Sequence, residues 1–197
     1  MPPLIAEELL VLGYEPDGIA RGDATRLDAA LAGAILLELM LDGSVLAAGD
    51  RISASDEAEL EHPELASALA MLPEGQPADG AVVALAPGLR RRLLAGLVER
   101  GVLGDVPHRW LGVLQHHRFP ERDASVRADA LSRLRSPADA RTLALAAMIV
   151  AAGLADRIWS RDERENVRQR LADFPEAAMV SSAVAKAVRT IHARTMT

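Results

Sequence analysis

The chain has 197 residues, of which 50% are hydrophobic and 25% charged, and its formal net charge is −6. This length supports one sizeable core, and the negative charge argues against a general nucleic-acid-binding protein, which would be basic. The sequence contains no cysteine, which excludes disulfides, thiolate catalysis and cysteine-ligated metal sites.

The sequence shows neither a membrane span nor a secretory signal. No apolar run reaches the roughly 20 residues of a membrane span. The first residues also lack the basic segment of a secretory signal. We therefore expect a cytoplasmic protein, with peripheral attachment to a membrane surface left open.

The first half of the chain predicts helices separated by turns. The strongest helix is a core helix, because Glu38 is the single polar residue between positions 29 and 41. A hairpin is predicted where Gly49 and Asp50 interrupt two short apolar runs. Helices are predicted over 3–12, 27–42 and 63–72, a hairpin over 44–53, and surface loops over 14–25 and 73–80.

The second half adds a second hairpin and more helices. The hairpin is predicted between the apolar runs 102–103 and 110–114. Its strand WLGVL is apolar on both faces, which favours contact with a partner or with another part of the fold. Ser136 and Pro137 form an N-cap and N1 pair that begins a second apolar helix. Helices are predicted over 89–100, 124–135, 136–154, 161–174 and 177–193. The predicted fold class is mainly α: a single globular helical domain (1–197) with two small β-hairpins.

Three consecutive arginines, Arg90, Arg91 and Arg92, begin the helix over 89–100. At 100° per residue from Leu89, the apolar side chains cover about 40° to 180°, and Arg90 falls inside that arc at about 100°. Arg91 and Arg92 fall outside it and are expected to be solvated. A partly buried arginine needs an anion, so we expect Arg90 to contact either an internal carboxylate, from Glu38 or Asp28, or a ligand.

The sequence offers little for catalysis. Glu38 is a carboxylate in a core helix, which is more typical of structural pairing than of a catalytic acid with a raised pKa. The adjacent His116 and His117 have no second cluster with metal-ligand spacing, so no metal site is expected. Nucleophile elbows, phosphate-binding loops and dinucleotide turns are not found in the sequence. We expect no enzyme activity and no cofactor.

Four segments in order resemble the Golgi phosphoprotein 3 family. They are LIAEELLVLG (4–13), AGAILLELMLDGSV (32–45), LVERGVL (97–103) and RTLALAAMIVAAGLADRIW (141–159). Their order and spacing match, and the resemblance covers nearly the whole chain. The short form, rich in alanine and arginine, resembles bacterial members of the family, which have no Golgi to serve.

The resemblance implies a mostly helical domain that attaches to membranes through a phosphatidylinositol 4-phosphate head group. It also implies a role as an adaptor that retains glycosyltransferases in the Golgi. A hydrophobic hairpin promotes oligomerisation in the family, and its place here is taken by Trp110, Leu111, Val113 and Leu114. A homo-oligomer formed through this hairpin is therefore expected.

The head-group pocket of the family uses one tryptophan and three arginines. In this chain the tryptophan column falls on Asp23, and the arginine columns fall on Ala32, Pro87 and Arg90, so only Arg90 matches. Nearby arginines would have to compensate for the missing ligands. The predicted anion-binding residues are Arg90, Arg91, Arg26 and Arg21.

The sequence therefore predicts a peripheral membrane-binding module with a degenerate head-group pocket. Its expected partners are an anionic lipid head group or membrane surface, and the tails of membrane proteins. One alternative is a protein-interaction adaptor without lipid binding. Another is a winged-helix-like nucleic-acid or regulatory protein, because a helix followed by a hairpin resembles a wing, although nucleic acid is not an expected partner at this net charge.

Overall fold

The computed structural model describes residues 2–55, 60–110 and 114–195, with the backbone alone described at 108–110, 114–116 and 194–195. Helices dominate the described residues, and the predicted mainly α class is confirmed. The helices are α1 (Ile5–Leu12), α2 (Ala24–Leu41), α3 (Pro63–Ala70), α4 (Ala78–Leu85), α5 (Leu89–Glu99), α6 (Ser125–Leu134), α7 (Ala140–Ala151), α8 (Ala155–Ile158), α9 (Arg161–Ala172) and α10 (Pro175–Thr195). The strands are β1 (Val45–Ala48), β2 (Arg51–Ala54), β3 (Gln76–Pro77), β4 (Val106–Trp110) and β5 (Leu114–Arg118).

Helix α2 is the centre of the fold. It packs against α1, α4, α7 and α10, which explains why its sequence is apolar on every side. Its large side chains, including Leu31, Ile35 and Leu36, are fully buried. Burial of each such side chain contributes about 1.5–3 kcal/mol, so α2 is the main source of core stability.

The first sheet contains the predicted hairpin and one further strand. Strands β1 and β2 pair antiparallel around Gly49, as expected. Strand β3 then pairs with β2 and gives the order β1-β2-β3. The prediction of a surface loop over 73–80 is therefore wrong at its end, since β3 and the start of α4 lie there. Helix α4 was missed because its eight residues, between Pro77 and Pro87, give too short a periodic pattern.

The second sheet is shifted along the chain relative to the prediction. Strands β4 and β5 pair antiparallel, with Trp110 opposite Leu114, whereas 110–114 was predicted as one strand. The segment 102–103 is not its partner, because Leu103 is buried and forms an isolated bridge with Glu121. The prediction followed the apolar run 110–114, but the two strands that pair are more polar than that run. Leu111 and Val113 lie outside the described residues.

The cap of α7 also differs from the prediction. Ser136 still belongs to the turn that ends α6, since its N–H donates to Arg133 O at 3.2 Å. The N-cap is Asp139, whose carboxylate accepts from the Thr142 N–H at 2.9 Å and from the Thr142 hydroxyl at 2.7 Å. An aspartate with extended backbone at this position satisfies the first helical N–H groups better than a serine three residues earlier.

Candidate anion-binding site

The arginines of α5 are positioned by a tight turn. Helix α4 ends at Leu85, and Leu89 N–H donates to Ala86 O at 3.2 Å. Gly88, the residue before α5, has a φ of 70°, a left-handed conformation that glycine adopts without the steric cost of a side chain. The turn therefore places Arg90, Arg91 and Arg92 in the first turn of α5, over the junction with α4.

Arg90 contacts a carboxylate of the protein itself. Its Nε lies 3.0 Å from Asp28 Oδ1, and its Nη2 donates to Asp28 Oδ2 at 3.2 Å. Asp28 lies on α2, so the pair joins the two helices. From the sequence, the anion beside Arg90 was either an internal carboxylate or a ligand. In the structure it is an internal carboxylate, that of Asp28. Glu38, the other candidate, does not contact Arg90.

The Asp28 carboxylate is poorly satisfied in this pair. Asp28 Oδ1 is buried and accepts no hydrogen bond from the described residues, since its 3.0 Å approach to Arg90 Nε is not aligned as one. Burial raises the pKa of Asp28, although the charge of Arg90 lowers it in part. The pKa of Tyr14 is raised by burial, while the nearby Arg90 opposes and the charge of Asp28 reinforces that rise. Arg90, Asp28 and Tyr14 are thus one electrostatic group.

A cleft of about 430 Å³ adjoins this group. Asp28 brings a carboxylate into its wall, and Pro87, one of the residues that replace a family arginine, also lies there. The residues lining the cleft are Thr25, Asp28, Val83, Ala86, Pro87, Gly88 and Ile191. The walls are mostly apolar, and the cation beside them is already paired.

Asp23 and Ala32, the residues at the other two aligned positions of the family pocket, have structural roles. Asp23 is the N-cap of α2, where its carboxylate accepts from the Arg26 N–H at 2.8 Å. Ala32 is fully buried in the core. Neither residue offers a cation, so the geometry of this region does not reproduce a pocket with three arginines.

Arg91 and Arg92 differ from one another. Arg91 is exposed and has no hydrogen bond or ion pair with the part of the chain that the structure describes. Arg92 was expected to be solvated, yet it makes a bidentate contact with Glu64 on α3. Its Nη2 lies 2.8 Å from Oε1, and its Nε lies 3.1 Å from both carboxylate oxygens. Two of the three arginines that would suit a nucleic-acid-binding helix are therefore paired with acids.

Arg21 and Arg26 have neighbours other than the α5 arginines. Arg21 is paired with Glu15, and its pKa is lowered by desolvation and by the charges of Arg157 and Arg127. Arg26 is exposed, and its Nη1 lies 3.6 Å from where a Cβ on Gly153 would be. The described contacts thus do not join the four predicted anion-binding residues to one another.

The Arg21 loop is joined to the base of the second hairpin. Phe119 N–H donates to Gly18 O at 3.2 Å, and Glu121 N–H donates to Pro16 O at 2.9 Å. A Cβ on Gly18 would lie 2.5 Å from the Phe119 backbone, so only glycine fits there. This junction exposes Ile19 and Val106, each 44% accessible.

We define the basic face as Ile19, Arg21, Val106, Arg118, Arg122 and Arg157. The chain segment that supplies much of it, 106–122, contains three arginines and three histidines but a single acid, Glu121. Arg122 and Arg157 are exposed and form no ion pair with described residues. Sequence reasoning missed Arg122 and Arg157, although the basic composition of 106–122 was a visible signal.

Three buried or partly buried acids have clear structural partners. Glu38 is paired with Arg141 and accepts from the Ile5 N–H at 2.6 Å. Glu7 is paired with Arg100, and Glu8 Oε1 accepts from Arg133 at 2.7 Å. These pairs connect α1 and α2 to α5, α6 and α7. The structural interpretation of Glu38 agrees with these contacts.

The described residues contain neither a metal-binding cluster nor a membrane-spanning helix. His117 Nδ1 lies 2.6 Å from Asp105 Oδ1, and across the described residues no group of three or more histidines and acids is arranged to hold a metal ion. In that same part of the chain, no helix combines the length and apolar character needed to span a membrane.

Comparison with known proteins extends these observations. Residues 5–191 match the sequence model of the family described as Golgi phosphoprotein 3 (GPP34). The match covers nearly the whole chain and includes the four segments that carry the resemblance, apart from Leu4 at the start of the first. No curated protein matches the chain.

Proposed function

Because the chain belongs to the Golgi phosphoprotein 3 family, we propose that it is a peripheral membrane-binding module that recognises anionic lipid surfaces through its basic face. Selectivity for phosphatidylinositol 4-phosphate is not part of this proposal, because the region aligned with the head-group pocket has one arginine and that arginine is paired with Asp28.

The observation that carries the proposal is a pair of cations on the basic face that no acid of the described residues neutralises. Arg122 and Arg157 are exposed and unpaired among described residues, whereas Arg21 is paired with Glu15. The exposed Ile19 and Val106 lie on the same loop and hairpin junction. Membrane surfaces attract such faces in two ways, since anionic lipids attract arginines and the interface takes up apolar side chains. The backbone pair of Trp110 and Leu114 lies at the opposite end of the same hairpin from Val106 and Arg118.

Co-sedimentation with vesicles tests the proposal. The protein should pellet with phosphatidylcholine vesicles that contain phosphatidylserine, and binding should weaken at high salt because the attraction is screened. Each basic residue near an anionic surface contributes about 1 kcal/mol, so loss of one should weaken binding roughly fivefold. Arg122→Glu and Arg157→Glu should each weaken it by at least that factor.

Arg51→Glu is the matched control. Arg51 is exposed on β2, in the other sheet, and it forms no ion pair with the residues that the structure describes. The substitution changes net charge by the same amount, so it should leave binding nearly unchanged. Equal losses in all three variants would reduce the effect to net charge, and absence of wild-type binding at low salt would reject the proposal.

A protein-interaction adaptor without lipid binding is the second candidate. The Arg90–Asp28 pair and the apolar walls of the cleft favour it, since neither suits a phosphate. Its signature would be saturable binding to cytoplasmic tail peptides of membrane proteins together with no sedimentation on any anionic vesicle.

A further inference from the structure

We infer that the cleft between α1, α6 and α7 binds a small organic diamine, one ammonium group of which donates to the Glu8 carboxylate. The cleft has a volume of about 490 Å³, and Glu8 and Asp129 both line it. Its lining residues are separate from those of the basic face, so the inference goes beyond the proposed membrane function and does not depend on it.

Glu8 is a carboxylate in a helix that is buried along its whole length. Helix α1 packs against α2, α5, α6 and α7, and this leaves no exposed side for its two consecutive acids, Glu7 and Glu8. Glu8 is 4% exposed. A carboxylate in such a place loses its hydration, and each oxygen needs a hydrogen-bond donor in compensation.

Glu7 meets this requirement, whereas Glu8 meets it with one oxygen. Glu7 Oε2 accepts from the Leu4 N–H at 3.0 Å, and its Oε1 is paired with Arg100. Glu8 Oε1 accepts from Arg133 at 2.7 Å, but Glu8 Oε2 is buried and has no hydrogen-bond partner among the described residues. Burial raises the pKa of Glu8, and the hydrogen bond and charge of Arg133 oppose that rise in part. Glu8 therefore has an acceptor to spare.

The spare acceptor belongs to the wall of the cleft. The terminal torsion of a glutamate is soft, so a small rotation presents Glu8 Oε2 to a ligand there. Asp129 on α6 adds a second carboxylate, which is exposed and forms no ion pair with the residues that the structure describes. The cleft thus offers two carboxylates with capacity for donors.

The arginines of the cleft are already engaged. Arg133 donates to Glu8, and Arg141 donates to Glu38 and to the Pro3 carbonyl. An anion in the cleft would meet carboxylates and no free guanidinium group, whereas an ammonium group brings three donors and a complementary charge. The electrostatics of the cleft therefore favour a cationic ligand.

The size and the apolar part of the wall indicate a short carbon chain between two ammonium groups. A volume of about 490 Å³ lies in the range of small-molecule sites. Pro2 and Val126 supply apolar surface for methylene groups. One ammonium group would bind at Glu8 and the other at Asp129.

Titration calorimetry with 1,4-diaminobutane tests the inference. Wild type should bind it saturably at low salt. Glu8→Gln keeps the shape of the side chain and an acceptor for Arg133, but it removes the charge. It should bind at least about tenfold more weakly, the usual effect of losing a hydrogen bond between charged groups. Circular dichroism spectra check that the variant keeps its helical content.

Asp129→Asn tests the second carboxylate at an exposed position, where the core is not disturbed. It should weaken binding of 1,4-diaminobutane about two- to fivefold, as expected for an exposed ion pair. Binding of butylamine, which has one ammonium group, should be the same in Asp129→Asn and wild type. This comparison decides the inference even if Glu8→Gln fails to fold, since an equal effect on both amines would contradict it.

Two controls separate the site from general attraction to an acidic protein. Glu99→Gln removes an exposed acid at the end of α5, outside the cleft, and should leave binding unchanged. The uncharged 1,4-butanediol should not bind. Equal losses in Glu8→Gln and Glu99→Gln would overturn the inference, and so would the absence of saturable binding to wild type, which a cleft that takes up only water would show. Vesicles play no part in these measurements, so failure here and failure of the proposed function are seen separately.

Discussion

Val184 on α10 fills the space that a side chain at Gly33 on α2 would need. A Cβ on Gly33 would lie 2.7 Å from Val184 Cγ2 and 2.8 Å from Met148 Sδ on α7. Three helices of the core, α2, α7 and α10, therefore meet where α2 has no side chain. This contact explains a glycine in the middle of an otherwise strong helix, where glycine costs about 1 kcal/mol relative to alanine.

Gly33→Ala should destabilise the protein. The added methyl group overpacks the core, which typically costs 1–3 kcal/mol and outweighs the gain in helix propensity. Gly96→Ala on α5 is the control, because a Cβ there meets nothing within 4 Å. It should raise the free energy of unfolding by up to about 1 kcal/mol. Urea unfolding of the two variants should give shifts of opposite sign, and shifts of the same sign would contradict this packing.

Gly18→Ala should uncouple the Arg21 loop from the hairpin. Gly18 has a φ of 87°, and its Cβ would lie 2.5 Å from the Phe119 backbone. Gly43→Ala is the matched control, since Gly43 has a φ of 78° but open space around it, and should cost only about 1 kcal/mol. Gly18→Ala should cost more and should also weaken vesicle binding. Similar thermal unfolding and binding of the two variants would show that the junction is unimportant.

The Asp139 cap should make stability depend on pH. Desolvation acts to raise the pKa of Asp139, but hydrogen bonds from the Thr142 hydroxyl and N–H lower it overall. A lowered pKa means that the ionised cap stabilises the folded state above the ordinary value of 3.8, and that this contribution is lost as pH falls through the folded pKa.

Asp139→Ala should therefore lower the free energy of unfolding by about 1 kcal/mol at pH 7. The difference from wild type should shrink at pH values below about 4, where the carboxyl becomes protonated. Urea unfolding at several pH values measures both effects. Asp139→Asn should keep most of the stability at pH 7, because an asparagine also caps helices well. A difference that is constant with pH would contradict the role of the charge.

Arg141→Met should weaken the attachment of the chain start to α7. Arg141 donates to Glu38 and to Pro3 O, so its loss leaves Glu38 with the Ile5 N–H as its described partner. Breaking a buried pair costs 3–5 kcal/mol, and the partial exposure of Arg141 reduces our expectation to about 2 kcal/mol. Glu38→Gln should cost less, because it keeps an acceptor for Ile5. If the double variant costs the sum of the two single losses, the residues do not act as a pair.

Local patterns predicted much of the fold. The apolar run around Glu38 identified α2, and the Gly49 turn identified the first hairpin. Short elements with weak periodicity were harder, as α4 shows. In the second hairpin, the apolar run 110–114 was more prominent than the polar strands that pair. Register depends on cross-strand neighbours, which a single sequence does not reveal.

The candidate site was predicted in part. The helical wheel correctly predicted that Arg90 lies on the inward face of α5, because side-chain direction follows from position in the helix. Its partner, Asp28, is 62 residues away in sequence, and the choice between Asp28 and Glu38 depended on how α2 and α5 pack. The basic face was missed for the same reason. Its residues come from a loop, a hairpin and α8, and only the tertiary fold brings them to one junction.

The basic residues that pair with acids between helices are arginines rather than lysines. Lys186 is the single lysine among 22 basic residues, and it is exposed on α10, away from the ion pairs described above. A guanidinium group presents several N–H donors in a fixed planar arrangement, so each pair can fix the orientation of two helices as well as attract their charges. Amine-reactive labels at Lys186 should report on the surface of α10 without disturbing any of those contacts.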